Sequence, residues 1–137
     1  MRYESTRDVD ALVAAFEACT LPREEWTHAA HITVAVWCMM RDGVEAGSER
    51  VRTGIQRYNA SQGIVTRPDG GGYHETLTRF YLRAIDRYLH DAVAALAADC
   101  VARLDDRELP FRYYSRERLM STEARMGWLA PDLQPFE

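Results

Sequence analysis

His28 and His31 stand three residues apart in "EEWTHAAHI", at the head of the apolar run "AAHITVAVWCMM". Imidazole suits two kinds of chemistry: acid–base work near neutral pH, and coordination of zinc, iron or copper as a neutral ligand. A third histidine, His74, follows the glycine run in "PDGGGYHET". If the segment from Pro22 to about Arg41 is one helix, Glu24, His28 and His31 fall at i, i+4 and i+7, within a sector of about 60°. Ala35 and Cys38 continue that line. Otherwise the helix starts afresh with Thr27 as its N-cap.

From Ala29 to Met40 the segment is apolar nearly all round, the mark of a helix enclosed on every side. His31 is therefore expected to be buried and His28 nearly so. A buried ring nitrogen left unpaired costs about 1–3 kcal/mol, and one divalent cation would satisfy both rings. Taken as the start of a further helix, His74 shares its inner face with Leu77, Tyr81, Ile85 and Tyr88, while Glu75 falls outside and can pair with Arg79. A non-helical Glu75 would instead reach the site. His90, beside Asp86 on the charged face, reads as surface.

Three histidines with an open coordination position describe a catalytic zinc site, and three with a carboxylate a non-haem iron or manganese site. The expected metal ligands are His28, His31 and His74. The expected cofactor is one divalent ion, iron or zinc ahead of copper or manganese. Glu24, Glu25 and Glu75 are candidates for a further ligand, a partner behind the ligands or a general base. The competing reading makes the histidines structural core groups bonded to carbonyls and predicts no metal.

A second group lies in "RYYSRERLMSTEAR". Arginine forks and phenolic donors suit a carboxylate or phosphate on a small substrate. Tyr113, Arg116 and Arg125 are the candidate substrate-binding residues, and Tyr114 joins Glu75 and Glu25 as a candidate catalytic residue. Against this, Arg116 and Arg118 can simply pair with Glu117 or Glu123. Trp26, Trp37 and Trp128 are read as core, and the glycine run as a connection that lets backbone approach the pocket rather than as a phosphate cradle.

Composition removes several classes. All 17 basic residues are arginine, so Schiff-base, pyridoxal phosphate and lysine-dependent phosphate-loop chemistry drop out. A net charge of -4 with arginines interleaved among acids gives no basic stripe for nucleic acid. The three cysteines, Cys19, Cys38 and Cys100, are far apart and form no C-x-x-C pair, as expected of reduced core thiols. The longest apolar stretch, "AAHITVAVWCMM", is too short for a membrane span, and the N-terminus "MRYESTRDVD" has no apolar signal core, which leads to a cytoplasmic expectation.

The elements that must position these residues are helical, because apolar positions recur at helical spacing and alternating strand patterns are absent. The expectation is a single all-α domain over residues 1–137, a bundle of about five main helices with short C-terminal ones. These run over Val9–Cys19, to about Arg41, from Val44 past Tyr58, from His74 to about His90, and Ala92–Leu104, the last either separate from the one before or continuous with it. Asp42-Gly43 closes the second, and Ser115 and Ser121 cap the short ones. "NASQGIVTRPDGGGY" is the one long irregular loop.

The set "EWTHAAH", "GYHETLT", "YYSRERLMSTEAR" and "WLAPDL" resembles a family of small bacterial proteins with W-T-H-x-x-H, G-Y-H-x-T and Y-S-x-x-R-L-x-S-x-x-A-R motifs, over most of the chain from Trp26 onward. The resemblance implies that His28, His31 and His74 belong to one site and brings no reaction with it. The chain is also similar, as an architecture, to metal-binding bundles of the DinB type, in which two helices supply three histidines; the pair here is more closely spaced. These readings lead to a metal-dependent enzyme that activates water or dioxygen against a small polar or anionic substrate. The alternative is a non-catalytic protein that stores or senses a metal or small molecule. A homodimer is open.

Overall fold

The computed structural model describes residues 3–135, and its regular elements are all helical, with no strand among the described residues. Helix α1 spans Thr6–Glu17, α2 His28–Asp42, α3 Val44–Ser61, α4 Glu75–Leu104, α5 Arg116–Leu119 and α6 Thr122–Met126. Two 3-10 segments, Arg23–Glu25 and Leu109–Arg112, complete the set. The fourth and fifth expected helices are one continuous element of 30 residues. Nothing between His90 and Ala92 breaks it, since neither glycine nor proline occurs there. Among the described residues no helix is long and apolar enough to cross a membrane.

Local chemistry fixes the helix ends. Ser5 and Asp8 form a reciprocal capping box, which starts α1 at Thr6 rather than at Val9. Thr27 Oγ1 accepts from the Ala30 N–H, so α2 starts afresh at His28. Gly43, at φ +85°, ends α2 and opens α3 with no other residue between them. Ser115 and Ser121 cap α5 and α6 through the Arg118 and Ala124 amides, as their positions predicted.

The chain divides into two compact units, Met1–Asp91 and Ala92–Glu137. The first holds an apolar core. Leu12, Val13 and Phe16 of α1 meet Val34, Ala35, Cys38 and Met39 of α2, Val51, Ile55 and Tyr58 of α3, and Leu82 and Ile85 of α4. Two glycines permit the close packing of α3. A Cβ on Gly47 would lie 2.6 Å from the Cys38 carbonyl oxygen and the Met39 Cα, and one on Gly54 2.9 Å from the Phe16 ring. Tyr58 is fully enclosed, with its hydroxyl donating to the Leu21 carbonyl at 2.8 Å.

The second unit is built differently. Ser115 donates from both its amide and its hydroxyl to Asp132, Tyr114 Oη donates to the Leu129 carbonyl at 2.7 Å, and Arg118 Nε to the Ala130 carbonyl at 2.7 Å. No described residue of this unit is buried.

Candidate functional site

A pocket of about 410 Å³ opens in the first unit, and its lining includes His28, His31 and His74. Its volume lies within the range of about 300–1,000 Å³ typical of small-molecule sites. Ile32, Ala35, Val51, Ile55, Leu82 and Ile85 make much of the wall apolar. Among the described residues no carboxylate lines the pocket, and Arg23 is the lining residue with a permanent charge.

His31 sits one turn into α2. Its Nδ1 lies 2.6 Å from the Thr27 carbonyl oxygen. A carbonyl only accepts, so Nδ1 carries the hydrogen and Nε2 keeps a lone pair. The ring stacks on Trp26, with centroids 3.8 Å apart, and Trp26 stacks in turn on Phe16 at 4.4 Å. This aromatic sandwich ties the imidazole to the core. Burial pushes the His31 value below its usual 6.5, helped by the neighbouring His28 and opposed by the Thr27 hydrogen bond.

His74 has the opposite arrangement. It precedes α4, and its Nδ1 accepts from the Leu77 N–H at 3.1 Å, which makes it the helix cap. An amide N–H only donates, so Nδ1 is the bare nitrogen and the neutral ring carries its hydrogen on Nε2. His28 lies edge-on to Tyr81, with centroids 4.7 Å apart. The three rings line one pocket, yet among the described residues no group of three or more His, Cys, Asp or Glu side chains is arranged to hold a metal ion.

The expected burial is revised. His31 is half-buried, while His28 and His74 are exposed. The apolar run is not enclosed on every side: Met40 is 65% exposed, because α2 has neighbours on only part of its surface. Glu24 and Glu25 are exposed in the 3-10 segment before α2, so Glu24 leaves the helical line through His28 and His31.

Glu75 is engaged elsewhere. Its carboxylate accepts from Tyr73 Oη at 2.7 Å and pairs with Arg52 of α3, not with Arg79 in the next turn as the helical projection suggested. The Tyr73 hydrogen bond, followed by Arg52, holds the Glu75 carboxyl below its usual 4.5. Arg52 also reaches Glu49, while its buried Nε has no partner among the described residues.

Tyr113, Tyr114, Arg116 and Arg125 belong to the second unit. Tyr113 accepts the Leu133 amide at its carbonyl, and Tyr114 is occupied by Leu129. The Arg116 guanidinium lies 4.2 Å over the Phe111 ring, and Arg125 is exposed in α6. Of the tryptophans, Trp37 is half-buried with its Nε1 donating to Asp10, whereas Trp128 is 81% exposed and not a core residue.

Several lining residues escaped the sequence reading. Trp26 supplies a wall, and its Nε1 is buried without a partner among the described residues. Asn59 is 9% exposed in a position that the spacing Val51, Ile55, Asn59 marks as the inner line of α3. That polar residue in an apolar line was the available signal. Gly72 also lines the pocket; at φ +83°, with Thr66 Cα 2.5 Å from where a Cβ would be, only glycine fits. The loop folds back there, with Thr66 Oγ1 accepting the Tyr73 amide.

No family model matches this chain, and neither the curated proteins nor the solved structures contain a significant match to it.

Proposed function

We propose that the protein is an enzyme acting on a small, largely apolar molecule in the pocket of the first unit, with His31 as base and His74 as hydrogen-bond donor. One observation carries the reading: two imidazoles that line the same pocket are held in opposite tautomers by backbone groups. His31 keeps a lone pair on Nε2 for a proton, and burial favours its neutral form. His74 offers Nε2–H to an oxygen that gains charge as the proton leaves. A carbonyl compound with an acidic neighbouring C–H is the substrate this pair suits: the C–H electron pair moves toward the carbonyl oxygen and the proton goes to His31.

Two measurements test this. Long-range proton–nitrogen NMR reads the tautomers directly, and His31 protonated on Nδ1 with His74 protonated on Nε2 is the expected result. Solvent deuterium incorporation next to the carbonyl of cyclohexanone and 2-tetralone is expected with the wild type and lost in His31→Gln. His74→Asn keeps a capping side chain and is expected to retain the fold while slowing exchange. Either histidine in the other tautomer, or exchange indifferent to both substitutions, overturns the proposal.

A specific feature also favours a metal-dependent version. Nδ1–H bonded to a carbonyl is the usual way a metal-ligating histidine is oriented, and His28 lies one turn from His31 on the same pocket. His74 would then have to release the Leu77 amide to become a ligand. About one equivalent of zinc or iron in untagged protein, lost in His28→Ala and His31→Ala, is the result that favours this version over the metal-free one.

A further inference from the structure

Resting on that reading of the pocket, we infer that its ligand is a mostly apolar ring compound without positive charge that carries a lactam-type edge, a carbonyl beside an N–H, and that Asn59 selects it. Asn59 lines the pocket and is 9% exposed. Its backbone carbonyl accepts the Gln62 and Ile64 amides, which ends α3 and fixes the residue's backbone. The side-chain amide, by contrast, forms no hydrogen bond with another described residue.

An amide that opens onto a largely apolar wall is matched by a ligand group that both donates and accepts. A lactam or secondary amide in its cis form has that pattern. The walls choose the rest of the molecule. Val51 and Ile55 precede Asn59 on the same line of α3 and line the pocket, so the apolar body belongs against them. With no carboxylate among the described lining residues, a cationic ligand has no counter-charge there, whereas Arg23 is positive.

The experiment compares 2-quinolinone with N-methyl-2-quinolinone, which keeps the ring and carbonyl but lacks the N–H, by calorimetric titration of the full chain. Wild type is expected to prefer 2-quinolinone by at least about tenfold, as a site built to hydrogen-bond an N–H rejects the analogue lacking it. In Asn59→Leu the preference is expected to collapse, with circular dichroism confirming an unchanged fold. Equal affinities in the wild type overturn the role of Asn59, as does a preference that survives in Asn59→Leu. Binding of neither compound at millimolar concentration overturns the ligand class. Binding does not require His31 to act as a base, so the deuterium-exchange result stands or falls separately.

Discussion

In the first unit Phe16, Val34, Cys38 and Tyr58 are all less than 2% exposed, whereas in the second no described residue is buried. The first is organised by apolar burial, which fixes side chains through many weak contacts at once. The second is organised by single hydrogen bonds from Ser115, Tyr114 and Arg118 to the segment from Leu129 to Asp132. A dry wall and a fixed imidazole need the first kind of construction. The second kind can be undone one contact at a time.

Breaking the core is the severest test of this contrast. Phe16→Ala removes a fully enclosed ring that stacks on Trp26 and tilts against Tyr58. It is expected to cost about 3–5 kcal/mol in urea unfolding. Because Trp26 also holds His31, the His31 Nδ1–H signal is expected to weaken in the same variant. A loss below about 1 kcal/mol would place the stability elsewhere than in burial.

Gly47→Ala tests the packing rather than the volume of the core. The added methyl meets backbone of α2, not a side chain that could turn away. A cost of about 1–3 kcal/mol is expected, read from the same unfolding curves. In the second unit, Tyr114→Phe deletes one hydroxyl bond to the Leu129 carbonyl and is expected to cost about 1 kcal/mol. Hydrogen exchange of the Leu133 amide, bonded to the Tyr113 carbonyl, reports it locally. An effect as large as that of Phe16→Ala would erase the distinction between the two units.

The same contrast sets what the sequence could reveal. Helical periodicity, the Thr27, Ser115 and Ser121 caps and the Asp42-Gly43 break were legible because each is a local event. So was the grouping of His28 and His31, one turn apart on a capped helix. The proton positions on His31 and His74 were not legible, because they depend on whether a carbonyl or an amide N–H meets Nδ1. Glu75 paired with Arg52, 23 residues away, rather than with Arg79 in the next turn. Helical projection sees only the local partner. Asn59 is readable in principle, as a polar residue continuing the line of Val51 and Ile55.

The smallest expected effect separates the units by pH. Burial holds His31 below its usual 6.5, so as the pH falls through 6.5 the unfolded chain takes up a proton that the folded chain does not. The His31 contribution to stability therefore declines from pH 6.5 down to its lowered folded value. Asp132 behaves as an acid with a depressed value: the Ser115 hydroxyl, then the Ser115 amide, hold it below its usual 3.8. Its contribution is present above 3.8 and fades as the pH falls through the lowered value. Glu75, held below 4.5 chiefly by Tyr73, is likewise intact until below 4.5. Between pH 6.5 and 4.5 the loss of the His31 contribution weakens the first unit, while the Ser115 amide bonded to Asp132 stays protected. Hydrogen exchange followed by NMR across that interval is expected to show faster exchange in α2 of the wild type and a flatter profile in His31→Gln. If Ser115 loses protection first, the polar contacts are the weaker against acid and the ranking of the two units reverses.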